Sequence, residues 1–378
     1  MTLAHALDGI RVLDLSRLLP GPFLTMILAD MGADVVKVED KGMGDYLRSF
    51  PPAKGGIAGR FLAVNRNKRS VTMDLKNDDD RAKFLKMVAK ADVVVESFRP
   101  GVMKRLGVDY DTLREHNDKI ILCSISGYGK DGPYVKRAGH DLNYLALGGV
   151  VAMSAEARGR KPAISGVQIA DVCGGSMWGA VSVLGAIIGR DKNGEGAHLD
   201  ISMTEGAMAM LCTEFGNMDA GGEVPTRGTS MLNGSVACYA VYETKDGKYM
   251  SVGSLEPKFW AALGAAIGRK MDYSEVIAPQ ETQDKVRAEL AEIFATKTRD
   301  EWTEILKDHD CCCEPVLELD EVMEHPMHKE RGVFFTQDGG ELGPILQMRT
   351  PTGMPEMKRV APRQGEHNDE VFAEYGVD

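Results

Sequence analysis

The sequence predicts an α/β protein: a mostly parallel, doubly wound sheet with a smaller α+β unit after it. Three observations predict it. Short, nearly continuous apolar runs recur through the N-terminal third, among them Asp34–Glu39 (DVVKVE), Asp92–Glu96 (DVVVE) and Lys119–Ser126 (KIILCSIS). Helical patterns separate these runs, as expected of strands buried on both faces. Near Ser235 the texture changes to a hairpin signal followed by three helical stretches.

In chain order, Ile10–Leu15 reads as the first strand and Pro22–Met31 as a helix closed by Gly32. Asp34–Glu39 is the second strand and Ser70–Leu75 the third. Asn77 is an N-cap, and three aspartates follow it where the helix dipole is positive. Phe84, Met87 and Val88 give that helix one apolar face. Asp92–Glu96 and Lys119–Ser126 complete the early strands. Gly174–Gly189 reads as a buried helix, Asn193–Gly196 as a turn, His198–Ser202 as a strand, and Met203–Met210 as a Met-rich helix. Met218–Gly234 looks like a linker. Cys238–Glu243 and Tyr249–Val252 flank Lys245-Asp246-Gly247, a hairpin turn. Pro257–Ile267, Thr282–Ala295 and Thr298–Lys307 are helices, the last opened by a Thr298/Glu301 capping box. A helix near Asp320–Glu324 precedes a Pro-rich, polar tail from Thr350.

The chain has 378 residues, of which 43% are hydrophobic and 27% charged, a globular composition. Its 45 basic and 56 acidic residues give a net charge of −11, which argues against nucleic-acid binding through a basic face. A local basic pocket for an anionic small ligand remains compatible with that total. The seven cysteines form no disulfide framework, pointing to a reducing compartment. Met1–Gly9 lacks a leader pattern, and no apolar run approaches the roughly 20 residues that span a bilayer. The expectation is a cytoplasmic protein without a membrane span.

Two motifs resist their tempting readings. Gly127-Tyr-Gly129-Lys-Asp-Gly132 matches a dinucleotide fingerprint, but Pro133 and a polar loop follow where a helix should open. Cys311-Cys312-Cys313 cannot converge on one ion, because neighbouring strand residues face opposite ways; no metal is expected. More informative is Gly139-His140-Asp141-Leu142-Asn143-Tyr144, which concentrates polar groups after a strand. Ligands of parallel sheets bind at that edge. Asp171 precedes the long apolar helix, where it serves as a cap or joins free N–H groups beside a developing oxyanion. Glu256 sits between a strand and a helix and alone would not be singled out.

Taken together, these residues resemble a family. Leu13-Asp14-Leu15-Ser16, Pro20-Gly21-Pro22 and Leu28–Glu39 (LADMGADVVKVE) are similar to the N-terminus of the CaiB/BaiF proteins, the class III CoA transferases and α-methylacyl-CoA racemases. Asn65–Ser70, Phe98-Arg99-Pro100-Gly101, Ser126-Gly127-Tyr128-Gly129, Gly194-Glu195-Gly196 and Asp200–Met203 match further family motifs. The resemblance implies a Rossmann-like large domain at residues 1–200 and 323–378, a linker helix and loop at 201–234, and a small α+β domain at 235–322. It also implies an interlocked homodimer.

By the same resemblance Asp171 is the shared aspartate: a nucleophile carrying CoA in the transferases, one of two acid/base groups in the racemases. His140, within Gly139–Tyr144, and Glu256 match racemase positions. The implied activity is inversion of the α-carbon of 2-methyl-branched acyl-CoA thioesters by two-base proton transfer through an enolate. His140 and Asp171 would act on opposite faces, with Glu256 of the partner's small domain orienting His140. The alternatives are a CoA transferase working through an aspartyl-CoA thioester on Asp171, and an acyl-CoA-binding subunit without chemistry. CoA is part of the substrate, and no separate cofactor is implied. Met73, Asp74, Leu75, Lys76, Ser97, Phe98, Arg99 and Arg105 match CoA-contacting positions, as do Gly139, Asp141, Leu142, Asn143 and Tyr144. Where racemases place a phosphate-binding Arg after the second strand, this chain has Glu39-Asp40-Lys41. Met203, Met208, Met210, Met218 and Met231 suggest an adaptable acyl-binding surface.

Overall fold

Six strands form one parallel sheet: β1 (Arg11–Asp14), β2 (Asp34–Glu39), β3 (Lys68–Thr72), β4 (Val93–Glu96), β5 (Ile121–Ser126) and β6 (Ala197–Ser202). A computed structural model describes residues 2–155 and 159–377. The order β3-β2-β1-β4-β5-β6 is that of a Rossmann-like doubly wound sheet, and it reverses between β1 and β4. Val12, Leu13, Val35, Val36, Val94 and Val95 are fully buried, so both faces of the central strands are covered. Asn77 caps the Asp78–Val88 helix by accepting from the N–H groups of Asp79 and Asp80, and Phe84, Met87 and Val88 enter the core.

The chain divides into two compact units. One holds Met1–Gly148, Gly166–Met210 and Pro326–Asp378; the other holds Gly149–Ser165 and Leu211–His325. The second unit contains β7 (Tyr239–Glu243), β8 (Tyr249–Gly253) and β9 (Cys313–Pro315) in one antiparallel sheet. The helices Pro257–Ile267, Gln280–Phe294 and Arg299–Leu306 bury Trp260, Leu263, Leu290, Phe294 and Trp302 with it. The Thr298/Glu301 capping box forms, with Thr298 N–H donating to Glu301 Oε2 at 2.8 Å. Cys311 and Cys313 are buried while Cys312 is exposed, so the three thiols diverge. Segment 149–165 groups with this unit; Arg227 donates to the carbonyls of Ala152 and Arg160. The Met203–Met208 helix belongs to the first unit and Cys212–Asp219 to the second.

Three expectations change. The third strand begins at Lys68 and ends at Thr72, because its charged residues find partners inside the fold. The tail from Thr350 is not merely polar loop: helix Asn368–Tyr375 inserts Val371 and Tyr375 into the sheet's core. Ahead of it lies an unforeseen hairpin of β10 (Phe334–Asp338) and β11 (Pro344–Met348). Finally, Ala170–Asn193 is a continuous helical stretch of 24 residues, long and apolar enough by length and composition to cross a membrane. Within the first unit, its Gly179 approaches Leu24 and Cys123, while Trp178, Val181 and Ile188 are exposed.

The first three strands share a buried ionic network. Asp14, Lys37 and Lys68 are fully buried. Lys68 Nζ lies 3.1 Å from Asp14 Oδ2 and donates to Asn65 Oδ1 at 2.8 Å and to Pro22 O at 2.9 Å. Lys37 Nζ pairs with Asp45 at 2.9 Å and donates to Ser16 O at 2.8 Å. Burial alone would raise the Asp14 carboxyl, but Lys37 and Lys68 hold it at about 2. The network ties down the chain where β1 ends. Asp14→Asn leaves the buried Lys68 ammonium without its carboxylate while Lys37 keeps Asp45, and a loss of about 3–5 kcal/mol is expected at pH 7. Because Asp14 is depressed from 3.8 to about 2, its contribution persists above that range and fades as pH falls through it. Urea unfolding of wild type and variant at pH 7 checks this; coincident midpoints would refute it.

Candidate active site

The site is built at the C-terminal edge of the sheet, in the first unit. After β5 the chain enters the loop 127–139, which packs on Tyr144 of the helix that follows it. Tyr128 and Tyr144 meet edge-on at 5.1 Å, and Tyr144 Oη donates to Gly139 O. A Cβ at Gly127 or Gly139 would strike the Tyr144 ring. The glycines of the G-x-G-x-x-G pattern thus serve close packing and turning, with φ of +86° at Gly129 and +85° at Gly132.

The loop delivers His140 as the residue preceding helix Asp141–Leu147. His140 N–H donates to Asn143 Oδ1 at 3.1 Å, and the histidine is exposed. Asp141 follows it and reaches toward the other element of the site. Its Oδ1 accepts from Asp171 N–H at 3.1 Å, joining the starts of two helical segments.

Asp171 lies in the first turn of a π-helical segment, Ala170–Met177, that continues into helix Trp178–Asn193. Single π-turns inside helices recur at functional sites. This one is anchored by Ser176, whose Oγ donates to Pro20 O at 2.6 Å. Gly174 and Gly206 let it press against helix Met203–Met208; a Cβ at Gly206 would fall 2.6 Å from Gly174 Cα. The placement corrects the reading of Asp171 as a cap. The helical segment starts earlier, and the Asp171 and Val172 N–H groups are taken by Asp141 Oδ1 and Gln168 O. The open donors of the pair of helices are instead the Asp141 and Leu142 N–H groups, since those of Asn143 and Tyr144 donate to His140 O at 2.8 and 3.2 Å.

Electrostatically, burial and then the Asp141 charge raise the Asp171 carboxyl from 3.8 to about 7. Burial, with the Asp171 charge next, pushes Tyr144 up to about 12. A carboxyl near 7 exchanges protons readily in both directions at neutral pH.

Glu256 belongs to the second unit, whereas His140 and Asp171 belong to the first. It precedes helix Pro257–Ile267, its carbonyl accepts from Trp260 N–H at 3.0 Å, and its exposed side chain caps nothing.

The residues matched to CoA contacts separate into two sets. Met73 and Leu75 are buried in the core, so their side chains pack the sheet. Asp74 and Lys76 are exposed, with Lys76 N–H donating to Asp74 Oδ1 at 3.1 Å. Lys41 is exposed and pairs with Asp80 at 2.7 Å. Ser97 and Phe98 stand at the strand-order reversal between β1 and β4, where such sheets bind ligands. Ser97 Oγ accepts from Arg17 N–H at 3.1 Å, and the Arg17 guanidinium lies 5.6 Å from the Phe98 ring centre. Arg99 and Arg105 are exposed nearby in sequence. Arg17 was missed by sequence reasoning, along with its partner Tyr46 at 3.0 Å; its other partner, Asp40 at 2.8 Å, lies in the Glu39-Asp40-Lys41 stretch singled out above. Its position just past the first strand is the signal that marks it. Of the methionines, Met203 is buried near Gly174 and Gly175, while Met208, Met210 and Met231 are exposed.

Residues 7–368 match the family model for CoA-transferase family III. The alpha-methylacyl-CoA racemase of Homo sapiens is 35% identical over 374 residues, covering 98% of this chain and 94% of that protein. The succinyl-CoA:mesaconate CoA-transferase of Haloarcula marismortui is 35% identical over 393 residues, covering 99% and 97%. A crystal structure of a CaiB/BaiF family protein from Brucella suis superposes with a TM-score of 0.84 at 29% identity, covering 98% of this chain and 99% of that one. With sequence and fold matched along nearly its full length, the chain belongs to CoA-transferase family III.

Proposed function

We propose that the protein inverts the α-carbon of 2-methyl-branched acyl-CoA thioesters by proton transfer between two bases through an enolate. The observation that carries this reading is the placement of Asp171, whose backbone N–H donates to Asp141 Oδ1 at 3.1 Å on the helix that His140 opens, and whose carboxyl is raised by burial to about 7. One of the pair removes the α-proton and the other returns a proton to the opposite face; with the other hand of substrate the roles exchange. The Asp141 and Leu142 N–H groups receive the thioester oxygen as it gains negative charge. Arg17, Ser97, Phe98, Arg99, Arg105 and Lys76 bind the CoA portion. CoA enters as part of the substrate, and the proton shuttle calls on no further cofactor. Glu256, supplied by a second copy of the chain, orients His140.

A CoA transferase is the second reading, favoured by the Haloarcula relative at 35% identity. It uses Asp171 as a nucleophile, which must be ionised. A carboxyl at about 7 is better matched to exchanging a proton than to standing permanently charged. The deciding experiment incubates the protein with a 2-methylacyl-CoA in D₂O and follows the α-proton by NMR. Exchange with no acceptor acid present supports inversion. No exchange, combined with CoA transfer and a hydroxylamine-trapped Asp171, would sink it.

The exposed apolar row Trp178, Val181 and Ile188 supports a homodimer that covers this helix face. Sedimentation equilibrium is expected to give twice the chain mass, and a monomer at micromolar concentration would exclude it.

A further inference from the structure

Strand alternation separates the two faces of the sheet. Cys123 and Ile125 of β5 lie beneath the helical segment that carries Asp171: Cβ atoms at Gly179 and Gly175 would sit 3.7 Å from Cys123 Sγ and 3.3 Å from Ile125 Cγ2. Ser124 therefore faces the other side. There Glu96 of β4, Ser124 of β5 and Asp200 of β6 stand in one row across the sheet, paired in register. Ser124 Oγ is 3.1 Å from His198 Nε2, and the His198 ring lies 5.1 Å from that of Tyr110. These side chains line a cavity of about 220 Å³ that also touches Phe98 and Arg99.

Glu96 is only 6% exposed, an expensive place for a carboxyl. Burial pushes it up to about 7, and the Asp200 charge adds to that. Its Oε2 accepts from Phe98 N–H at 2.6 Å. That bond fixes the backbone of the segment whose other side meets the β1/β4 crevice through Ser97 and Phe98, both in contact with Arg17. Protonated or ionised, the carboxyl keeps an acceptor oxygen for this N–H.

We infer that Glu96 is a positioning residue for CoA, acting from the sheet face opposite Asp171 by holding the Ser97–Arg99 backbone in its binding conformation, with Ser124 supporting its carboxyl. The inference rests on the proposed CoA-binding role of that segment. It makes Glu96 matter to binding and not to the proton transfer.

The test compares Glu96→Leu, which removes the acceptor, with Glu96→Gln, which keeps one. Titration calorimetry with CoA and steady-state kinetics with a 2-methylacyl-CoA are the readouts. Glu96→Leu is expected to weaken CoA binding about tenfold and to raise KM by a similar factor with kcat nearly unchanged, since a half-buried N–H loses its partner. Glu96→Gln should bind CoA like wild type. Ser124→Ala, which only loosens the carboxyl, should fall between them, and it decides the matter if Glu96→Leu does not fold. Wild-type affinity in folded Glu96→Leu, or in Ser124→Ala when that variant has to decide, overturns the inference. So does a loss confined to kcat. Failure of wild type itself to bind CoA would instead overturn the proposed function.

Discussion

Asp171→Asn is expected to slow α-proton exchange by about 10²–10⁴-fold while leaving CoA binding intact. The amide keeps the shape of the side chain and the backbone bond to Asp141, so the geometry of the turn survives. What disappears is a group that exists in both protonation states near neutrality. Stability should move the opposite way. The carboxyl is raised from 3.8 to about 7, so between those values the folded state holds a proton that the unfolded chain releases. Stability contributed by this site therefore falls as pH rises from about 4 to 7, with a ceiling of about 4 kcal/mol from the full shift. Asp171→Asn should unfold at a higher temperature than wild type at pH 8 and at a similar one at pH 4. Asp141→Asn provides the companion test. Removing the second cause of the shift should move the acid limb of the exchange profile to lower pH. An unchanged limb would show that burial acts alone, and full exchange activity in Asp171→Asn would end the proposal.

This pairing of lost activity with gained stability is what a site held at a folding cost looks like. It also marks where sequence reading reached its limit. The doubly wound sheet was legible because DVVKVE, DVVVE and KIILCSIS are apolar on both faces, which few other settings accommodate. The hairpin around Lys245-Asp246-Gly247 was legible because its turn chemistry is local. The Asp14–Lys37–Lys68 network was not. Charges within or beside strands read as exposed until partners far along the chain are known, here Asp14 with Lys68 across 54 positions. Helix Asn368–Tyr375 is eight residues long, too short to show a period, and only its packing on the core reveals it. His140 and Asp171 stood out by residue type and motif. The pairing of Asp141 with Asp171 did not, since it spans 30 positions and exists only after both helices dock.

His140→Ala should separate two events that a single assay merges. Two-base inversion assigns each base one face of the α-carbon. Removing His140 leaves Asp171 able to take the proton of one hand of substrate and return deuterium from solvent to the same face. That hand should exchange in D₂O with retained configuration, and the opposite hand should not exchange. Net inversion should fall by about 10²–10⁴-fold, the usual worth of a positioned acid or base. His140 is exposed, and surface substitutions away from buried networks cost about 0.5 kcal/mol or less, so His140→Ala is expected to remain folded. Enantiopure substrates of each hand, followed by NMR for deuterium and by chiral chromatography for configuration, supply the measurement. Equal exchange of both hands in His140→Ala would mean that Asp171 or water reaches both faces, and the two-base assignment would fall. Loss of exchange for both hands would instead assign His140 to holding the substrate, with Asp171 dependent on it for access to the α-carbon.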